Sequence, residues 1–219
     1  MGYYYVRPMR LEDVPQAAEI DKEAFPTFWP PISFKHELLH NRLACYLVVA
    51  EGHGDGVPQH PPTSPASPGG WRWLGPLRRL VAGQEPLAAS QETVVAISGT
   101  WFMFDEAHLT TIAVRASHRG QGLGELILVA SLELAMERQA VVMTLEVRVS
   151  NTVAQALYDK YSFAKVGVRR GYYTDNNEDA LLMTTDKLTA AGYRAEFQQL
   201  KEAYLSRWGA ERRILSLAG

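Results

Sequence analysis

Residues 118–125 read HRGQGLGE, three glycines on alternating positions behind an arginine. The β-rich run LTTIAV precedes them and the apolar run LILVASLELA follows at once. A strand, a glycine turn and a buried helix in that order fix the local chain path. Glycines at a turn that opens a helix make room for something to approach the backbone, most often a phosphate. The rest of the chain has to say which phosphate.

Around this unit the pattern alternates between the two periods. YYYVRPM and ACYLVVAE read as strands, with the helix EDVPQAAEIDKEAF between them, Asp13 near its start and Pro15 in its first turn. FPTFWPPIS is an aromatic, proline-rich loop, and SFKHELLHN a short helix with Ser33 as N-cap. ETVVAISGTWFMF and HLTTIAV are strands, and GELILVASLELAMERQ is a helix. VVMTLEVRV suits a strand covered on both faces. TVAQALYDKY is a helix capped by Asn151 or Thr152, and Thr152 with Gln155 matches a capping box. AKVGVRRGYYT and DALLMTTDKL flank the turn-rich DNNE as an antiparallel pair. A last helix carries Tyr193, Phe197, Leu200, Tyr204, Leu205 and Trp208 on one side. The order is no regular βαβ series. It predicts an α/β fold with a central mixed sheet and helices on both faces.

Composition shifts in one place. Residues 52–70, GHGDGVPQHPPTSPASPGG, hold too few apolar groups to offset the entropy of ordering and read as a mobile loop. WRWLGPLRRLVAG follows, a Trp-Arg segment of roughly helical spacing that suits a partner-docking, membrane-surface or capping helix. The expected organisation is one domain over 1–219, an insert at 52–92 and a C-terminal helical extension over 189–219. That extension closes the core or makes a dimer contact, so a monomer or a homodimer is expected.

At 219 residues the chain can bury a real core, and 22 Lys plus Arg against 24 Asp plus Glu create no global field for nucleic acid. A lone Cys45 excludes an internal disulfide and a Cys-rich zinc site, and fits a reducing cytoplasm. The N-terminus lacks an apolar signal-peptide core, and no stretch approaches the 18 or so apolar residues of a membrane span.

Three phosphate-binding turns compete for HRGQGLGE. A dinucleotide fingerprint needs a glycine at position 125, where Glu125 stands. A carboxylate there would repel a pyrophosphate unless it pointed away. The NTP-binding P-loop needs a lysine that GLGEL lacks. Arg119-x-x-Gly122-x-Gly124 remains, its amides and helix N-terminus able to wrap a pyrophosphate and Arg119 able to add a charge-assisted contact. A glycine-rich connection without chemical meaning is the alternative.

IAVRASHRGQGLG resembles motif A of the GNAT superfamily of acetyltransferases, and LEVRVSNTVAQALYDKYSFAKVGVRRGYYTDNNEDALLM resembles the ribosomal-protein-alanine N-acetyltransferases within it. The likeness spans about 108–188, with AFPTFW and FKHEL similar to the family's first two helices and their connection. It implies a GNAT-like fold and acetyl-CoA as co-substrate, without a metal. Arg119, Gly120, Gln121, Gly122, Leu123 and Gly124 would hold the pyrophosphate. The backbone of Ile112, Ala113 and Val114 would bind the pantetheine arm, and Asn151, Ala154 and Tyr158, at i, i+3 and i+7, would face the cofactor. Glu146 is the implied base and Tyr158 the implied acid; as plain residues they read as a strand carboxylate paired with Arg148 and a core tyrosine. Phe25, Pro26, Tyr172 and Tyr173 are the implied walls of a peptide groove, or else aromatic packing. The acceptor implied is a protein N-terminus, that of a ribosomal protein starting with Ala or Ser. Two departures stand out. Ser162 replaces the family's glycine before Phe163, at about 1 kcal/mol if the position is left-handed. The 52–92 insert replaces a tight hairpin, which bears on substrate access.

HELLH at 36–40 also matches the zinc-peptidase pattern HExxH, yet Leu43 stands where the continuation needs glycine. Acetylation of a lysine or small amine, and an acyl-CoA-binding module without catalysis, remain as other readings.

Overall fold

The computed structural model describes residues 2–25, 32–53 and 92–215. Pro26, the Trp-Arg segment and nearly all of the 52–92 insert lie outside them. An eight-stranded mixed sheet runs through the molecule: β1 (Gly2–Pro8), β2 (Ala44–His53), β3 (Thr93–Met103), β4 (Glu106–Val114), β5 (Val142–Arg148), β6 (Phe163–Tyr173), β7 (Glu178–Thr185) and β8 (Arg213–Leu215). The spatial order is β6-β7-β5-β4-β3-β2-β1-β8. Only β4 with β5 and β1 with β8 run parallel. Among the described residues there are five α-helices: α1 (Val14–Ala24), α2 (Phe34–His40), α3 (Leu123–Glu137), α4 (Thr152–Lys160) and α5 (Ala191–Trp208).

Side-chain alternation in the central strands builds a core on each face of the sheet. Tyr46, Val48 and Ile97 turn toward Ala17, Ile20 and Phe34 of α1 and α2. Leu47, Val49 and Val95 turn toward Leu123, Leu126 and Ile127 of α3 and Tyr204 of α5. LILVASLELA is apolar nearly all round because α3 lies between the sheet and α5. Its Ser131 is satisfied internally, with Oγ 2.9 Å from Ser98 Oγ and donating to Ile127 O at 2.8 Å. The mixed sheet with helices on both faces agrees with expectation. The C-terminal extension does more than close the core: after α5 it returns as β8, pairing with Tyr4–Val6 of β1.

Three local expectations need correction. Thr152 and Gln155 form no capping box; Asn151 caps α4, accepting from Ala154 N at 3.1 Å. Gln155 instead donates to Arg148 O and Val149 O, at 3.0 and 2.9 Å. Ser33 holds the N-cap position of α2 without a side-chain bond. Strand β5 is not covered equally on its two faces: Met143, Leu145 and Val147 are buried, while Thr144, Glu146 and Arg148 alternate with them on the other face, where Glu146 and Arg148 reach an opening.

Asp13 stands at the N-cap position of α1, but its carboxylate makes no cap bond there and is used elsewhere. Arg7 and Asp13 are 1% and 0% exposed, and their side chains meet in a bidentate pair at 2.6 and 2.9 Å. Glu92, just before β3, also accepts from Arg7 Nε at 2.8 Å, and Asp13 accepts from Arg10 N at 2.8 Å. This pair joins β1, the start of α1 and the entry to β3. Burial works against the Arg7 charge, but its bonds to Asp13 and Glu92 prevail and hold the guanidinium above its ordinary pKa. Removing Asp13 would leave the buried cation to Glu92 alone, without its bidentate partner. Asp13→Ala should therefore cost about 3–5 kcal/mol of stability, read as a lower urea midpoint.

Candidate active site

Strands β4 and β5 pair only over Glu106–Leu109 and Val142–Leu145, and then diverge. Past that point β4 stays bonded to β3, with a register shift at Gly99/Thr100 opposite Thr110. Among the described residues the β5-facing edge of Thr110–Val114 therefore has no strand partner. The wedge opens into a cleft of roughly 1030 Å³, solvent-open space included, which takes in Phe25, Ile112, Glu146, Asn151, Ala154, Tyr158, Tyr172 and Tyr173. Eight residues singled out in the sequence meet here. Ala113 and Val114 turn their side chains into the α1 and α3 cores respectively, so only their backbone remains for a ligand.

Glu146 is half-buried at the wedge, with its side chain 7% exposed. Its Oε2 lies 3.1 Å from His108 Nε2 and its Oε1 2.9 Å from Arg169 Nη1. The partner expected from sequence, Arg148, is engaged elsewhere. Burial pushes the Glu146 carboxyl up, but the His108 bond and charge, followed by Arg169, hold it below the ordinary value. Thr144 Oγ1 donates to Glu106 Oε1, and His108 Nδ1 lies 2.8 Å from Thr144 Oγ1, so the imidazole is held between Thr144 and Glu146. His108 and Arg169 were missed because their partner lies on another strand; AHLTTIAV shows the period but not the register.

Tyr158 is 4% exposed, and burial followed by the nearby Tyr173 raises its phenol pKa, keeping the proton on Oη at neutral pH. Asn151, Ala154 and Tyr158 do share one face of α4 at the cleft. Asp21, also missed, lines the cleft from α1; burial raises its carboxyl despite a bond from the Ile32 backbone.

The β6–β7 turn is fastened to β5. Arg148 binds both Asp175 carboxylate oxygens at 2.9 Å and Glu178 at 3.1 Å, and its guanidinium stacks 3.9 Å above the Tyr173 ring. Gly171, at φ 59°, lets β6 shift register between Arg169 and Tyr173, which brings Tyr172 and Tyr173 to the cleft wall. Bonds from Ser150, then Asn176, lower the Glu178 carboxyl to about 2. Phe25 faces these tyrosines across the opening, at the end of α1.

The glycine turn lies past β4, after a 3-10 turn at Ala116–His118. Gly120 and Gly122 have φ of 76° and 75°, a region that favours glycine. Among the described residues the amides of Gly120 to Glu125 donate to no backbone acceptor. Such a row of free amides at a helix start fits a pyrophosphate. Glu125 points away, its carboxylate bound to Lys160 and to Tyr161 OH. Arg119 folds back onto Val114 O at 3.2 Å. One reading changes: a Cβ on Gly122 would lie 2.5 Å from the Trp208 ring, so that glycine makes room for α5. The ends of β2 and β3 that flank the insert lie beside this turn, since Arg115 N donates to Val95 O at 2.8 Å.

In the HELLH segment, Glu37 accepts from Asn41, Tyr46 and Trp101 at 2.8, 3.3 and 3.2 Å, tying α2 to β2 and β3. Its carboxylate is committed to the sheet. No group of three metal-ligating side chains occurs among the described residues, and no helix there is long and apolar enough to cross a membrane.

These contacts set a pH dependence. A carboxyl lowered by folding adds stability above its unfolded value, and that stability is lost as pH falls through the folded value. Acid destabilisation through Glu146 and Glu178 should thus begin only below about pH 4.5, the ordinary glutamate value. Carboxyl-carbon NMR should find Glu178 titrating near 2. In His108→Gln the Glu146 midpoint should move upward, because burial is left with less opposing it.

The acetyltransferase (GNAT) family matches residues 14–163 of the chain. A Bacillus subtilis (strain 168) protein, provisionally named a ribosomal protein bS18-alanine N-acetyltransferase, is 37% identical over 179 residues, 81% of this chain and 92% of its own. An N-alpha-acetyltransferase of Saccharolobus solfataricus is 29% identical over 181 residues, 82% of this chain and 91% of its own. The crystal structure of the Escherichia coli ribosomal-protein-S18-alanine N-acetyltransferase superposes with a TM-score of 0.60 at 24% identity, over 87% of this chain and 96% of that one. With its splayed strands and glycine turn, the chain belongs to the GNAT family of acetyltransferases.

Proposed function

We propose that the protein transfers the acetyl group of acetyl-CoA to a protein N-terminal α-amine, with a ribosomal protein as acceptor and the cytoplasm as its compartment. The observation that carries the choice of amine is the Glu146–His108–Arg169 cluster, which leaves Glu146 a weaker base than an ordinary buried carboxylate. At pH 7.5 an α-amine of pKa about 8 is roughly one-quarter neutral, whereas a lysine of pKa about 10.4 is neutral to about 0.1%. A weak base serves the first and not the second.

Acetyl-CoA, when bound, supplies a thioester carbonyl as electrophile. The free amides of residues 120–125 and the helix start behind them would hold its pyrophosphate, and the unpaired edge of Thr110–Val114 its pantetheine arm. Glu146 Oε2 with His108 Nε2 would receive the amine proton, directly or through water, with Thr144 and Glu106 fixing the far side of the imidazole. Tyr158 Oη, protonated and buried, would release its proton on the leaving side. Phe25 and the pair Tyr172–Tyr173 would orient the first residues of the acceptor between α1 and the β6–β7 turn. The names of the Bacillus and Escherichia relatives favour an alanine-starting ribosomal acceptor.

Incubation with acetyl-CoA and two peptide pools, one with free α-amines and one N-blocked with free lysines, tests this. Thiol release and product mass should report acetylation of free N-termini alone. Modification of the lysine pool instead, or acetyl-CoA binding with neither pool modified, would overturn the acceptor. Glu146→Gln should lower kcat by about 10²–10⁴-fold, and Tyr158→Phe by about 10²-fold, with acetyl-CoA affinity held. Wild-type turnover in both variants would remove their catalytic assignment.

A further inference from the structure

The C-terminal segment closes on the inner side of the glycine turn. Arg213 Nη2 donates to Gln121 O at 3.1 Å, and Tyr204 OH donates to Gly122 O at 3.2 Å. Tyr4 OH bonds the Gln121 side chain at 3.2 Å, and the Trp208 ring fills the space that a side chain on residue 122 would need.

Arg213 is an unusual group to find there. It is 7% exposed, its guanidinium lies 4.5 Å from the centre of the Tyr4 ring and 5.6 Å from that of Trp208, and among the described residues it forms no ion pair. Its Nη1 donates to Arg212 O at 3.1 Å, and its Nε has no acceptor. A buried cation that meets carbonyls, the Tyr204 hydroxyl and ring faces, but no carboxylate among the described residues, is expensive unless an anion comes near.

Peptide geometry supplies a use for it. In a trans peptide the C=O and the following N–H point in opposite directions. Drawing Gln121 O and Gly122 O onto Arg213 and Tyr204 turns the N–H groups of Gly122 and Leu123 the other way. Those amides belong to the row without acceptors.

We propose that Arg213, assisted by Tyr204, is a positioning residue for pyrophosphate binding: it sets two peptide planes of the glycine turn, and the bound pyrophosphate supplies the nearby anion that the described chain does not. The proposal rests on the reading of that turn as the acetyl-CoA site. It assigns cofactor recognition to a segment beyond the 14–163 region that matches the family.

Titration calorimetry with acetyl-CoA on Arg213→Met, Arg213→Lys and Tyr204→Phe tests it, beside kcat/KM with S-acetylpantetheine, which lacks the pyrophosphate. Arg213→Met should weaken acetyl-CoA by about tenfold, the scale of one charge-assisted bond. Tyr204→Phe should weaken it less, and Arg213→Lys should recover part of the loss. S-Acetylpantetheine turnover should stay at the wild-type level in all three. Acetyl-CoA affinity within twofold of wild type in Arg213→Met, or parallel loss of both thioesters, would overturn the proposal. Should Arg213→Met fail to fold, Tyr204→Phe carries the same comparison, since its ring keeps the core filled. Failure of the wild-type protein to bind acetyl-CoA would remove the reading of the turn itself, a separate result.

Discussion

The parting of β4 from β5 is the constraint on which the site depends. Four residue pairs bond in parallel, then the strands separate while β4 remains bonded to β3 and β5 to β7. Neither strand is lost from the sheet, so the core on the α3 side stays closed. On the other side the same separation leaves a strand edge without a partner among the described residues and brings alternate residues of β5 to an opening. Glu146 sits in that opening because of its phase in the strand: Leu145 and Val147, one residue either way, are in the core. A register slip of one residue would bury the carboxylate and expose a leucine.

What could be read from sequence follows the same physics. Local periodicity found the longer strands and the five α-helices of the described residues, since period 2 and period 3.6 are properties of consecutive residues. The i, i+3, i+7 spacing on α4 placed Asn151, Ala154 and Tyr158 on one face, and they share it. Contacts that depend on register were not legible. His108 and Glu146 are 38 positions apart and meet because Leu109 pairs with Leu145. Arg169 reaches Glu146 from β6, across β7. Arg148, the partner expected for Glu146, is the neighbour by sequence spacing, yet it lies closer to the β6–β7 turn in space. Charge pairs seen in sequence thus gave the correct kind of interaction with the wrong partner.

The glycine turn illustrates a different limit. A glycine can be required by what approaches its backbone from either side, and the sequence does not say which. At Gly122 two demands coincide: the φ of 75° favours glycine, and the Trp208 ring leaves no room for a Cβ. Packing alone would account for the residue. The row of amides without acceptors is the separate observation that keeps a ligand in the argument.

Ser162 shows how a departure from the family pattern is contained. Its φ of 61° is the left-handed conformation that the missing glycine would adopt freely, so the strain is about 1 kcal/mol. That strain is held by its surroundings. Tyr161 N and Ser162 N donate to Tyr158 O and Asp159 O, at 2.9 and 3.1 Å, closing the end of α4. The Tyr161 hydroxyl bonds Glu125 on α3, and Tyr193 of α5 bonds the Tyr161 carbonyl at 3.3 Å. Phe163, next in the chain, packs on the Tyr158 ring with centroids 5.6 Å apart. Several contacts from three helices therefore fix the turn, and relaxing residue 162 alone would mean giving up more than it recovers. The penalty falls on stability, while the ring that faces the cleft keeps its place.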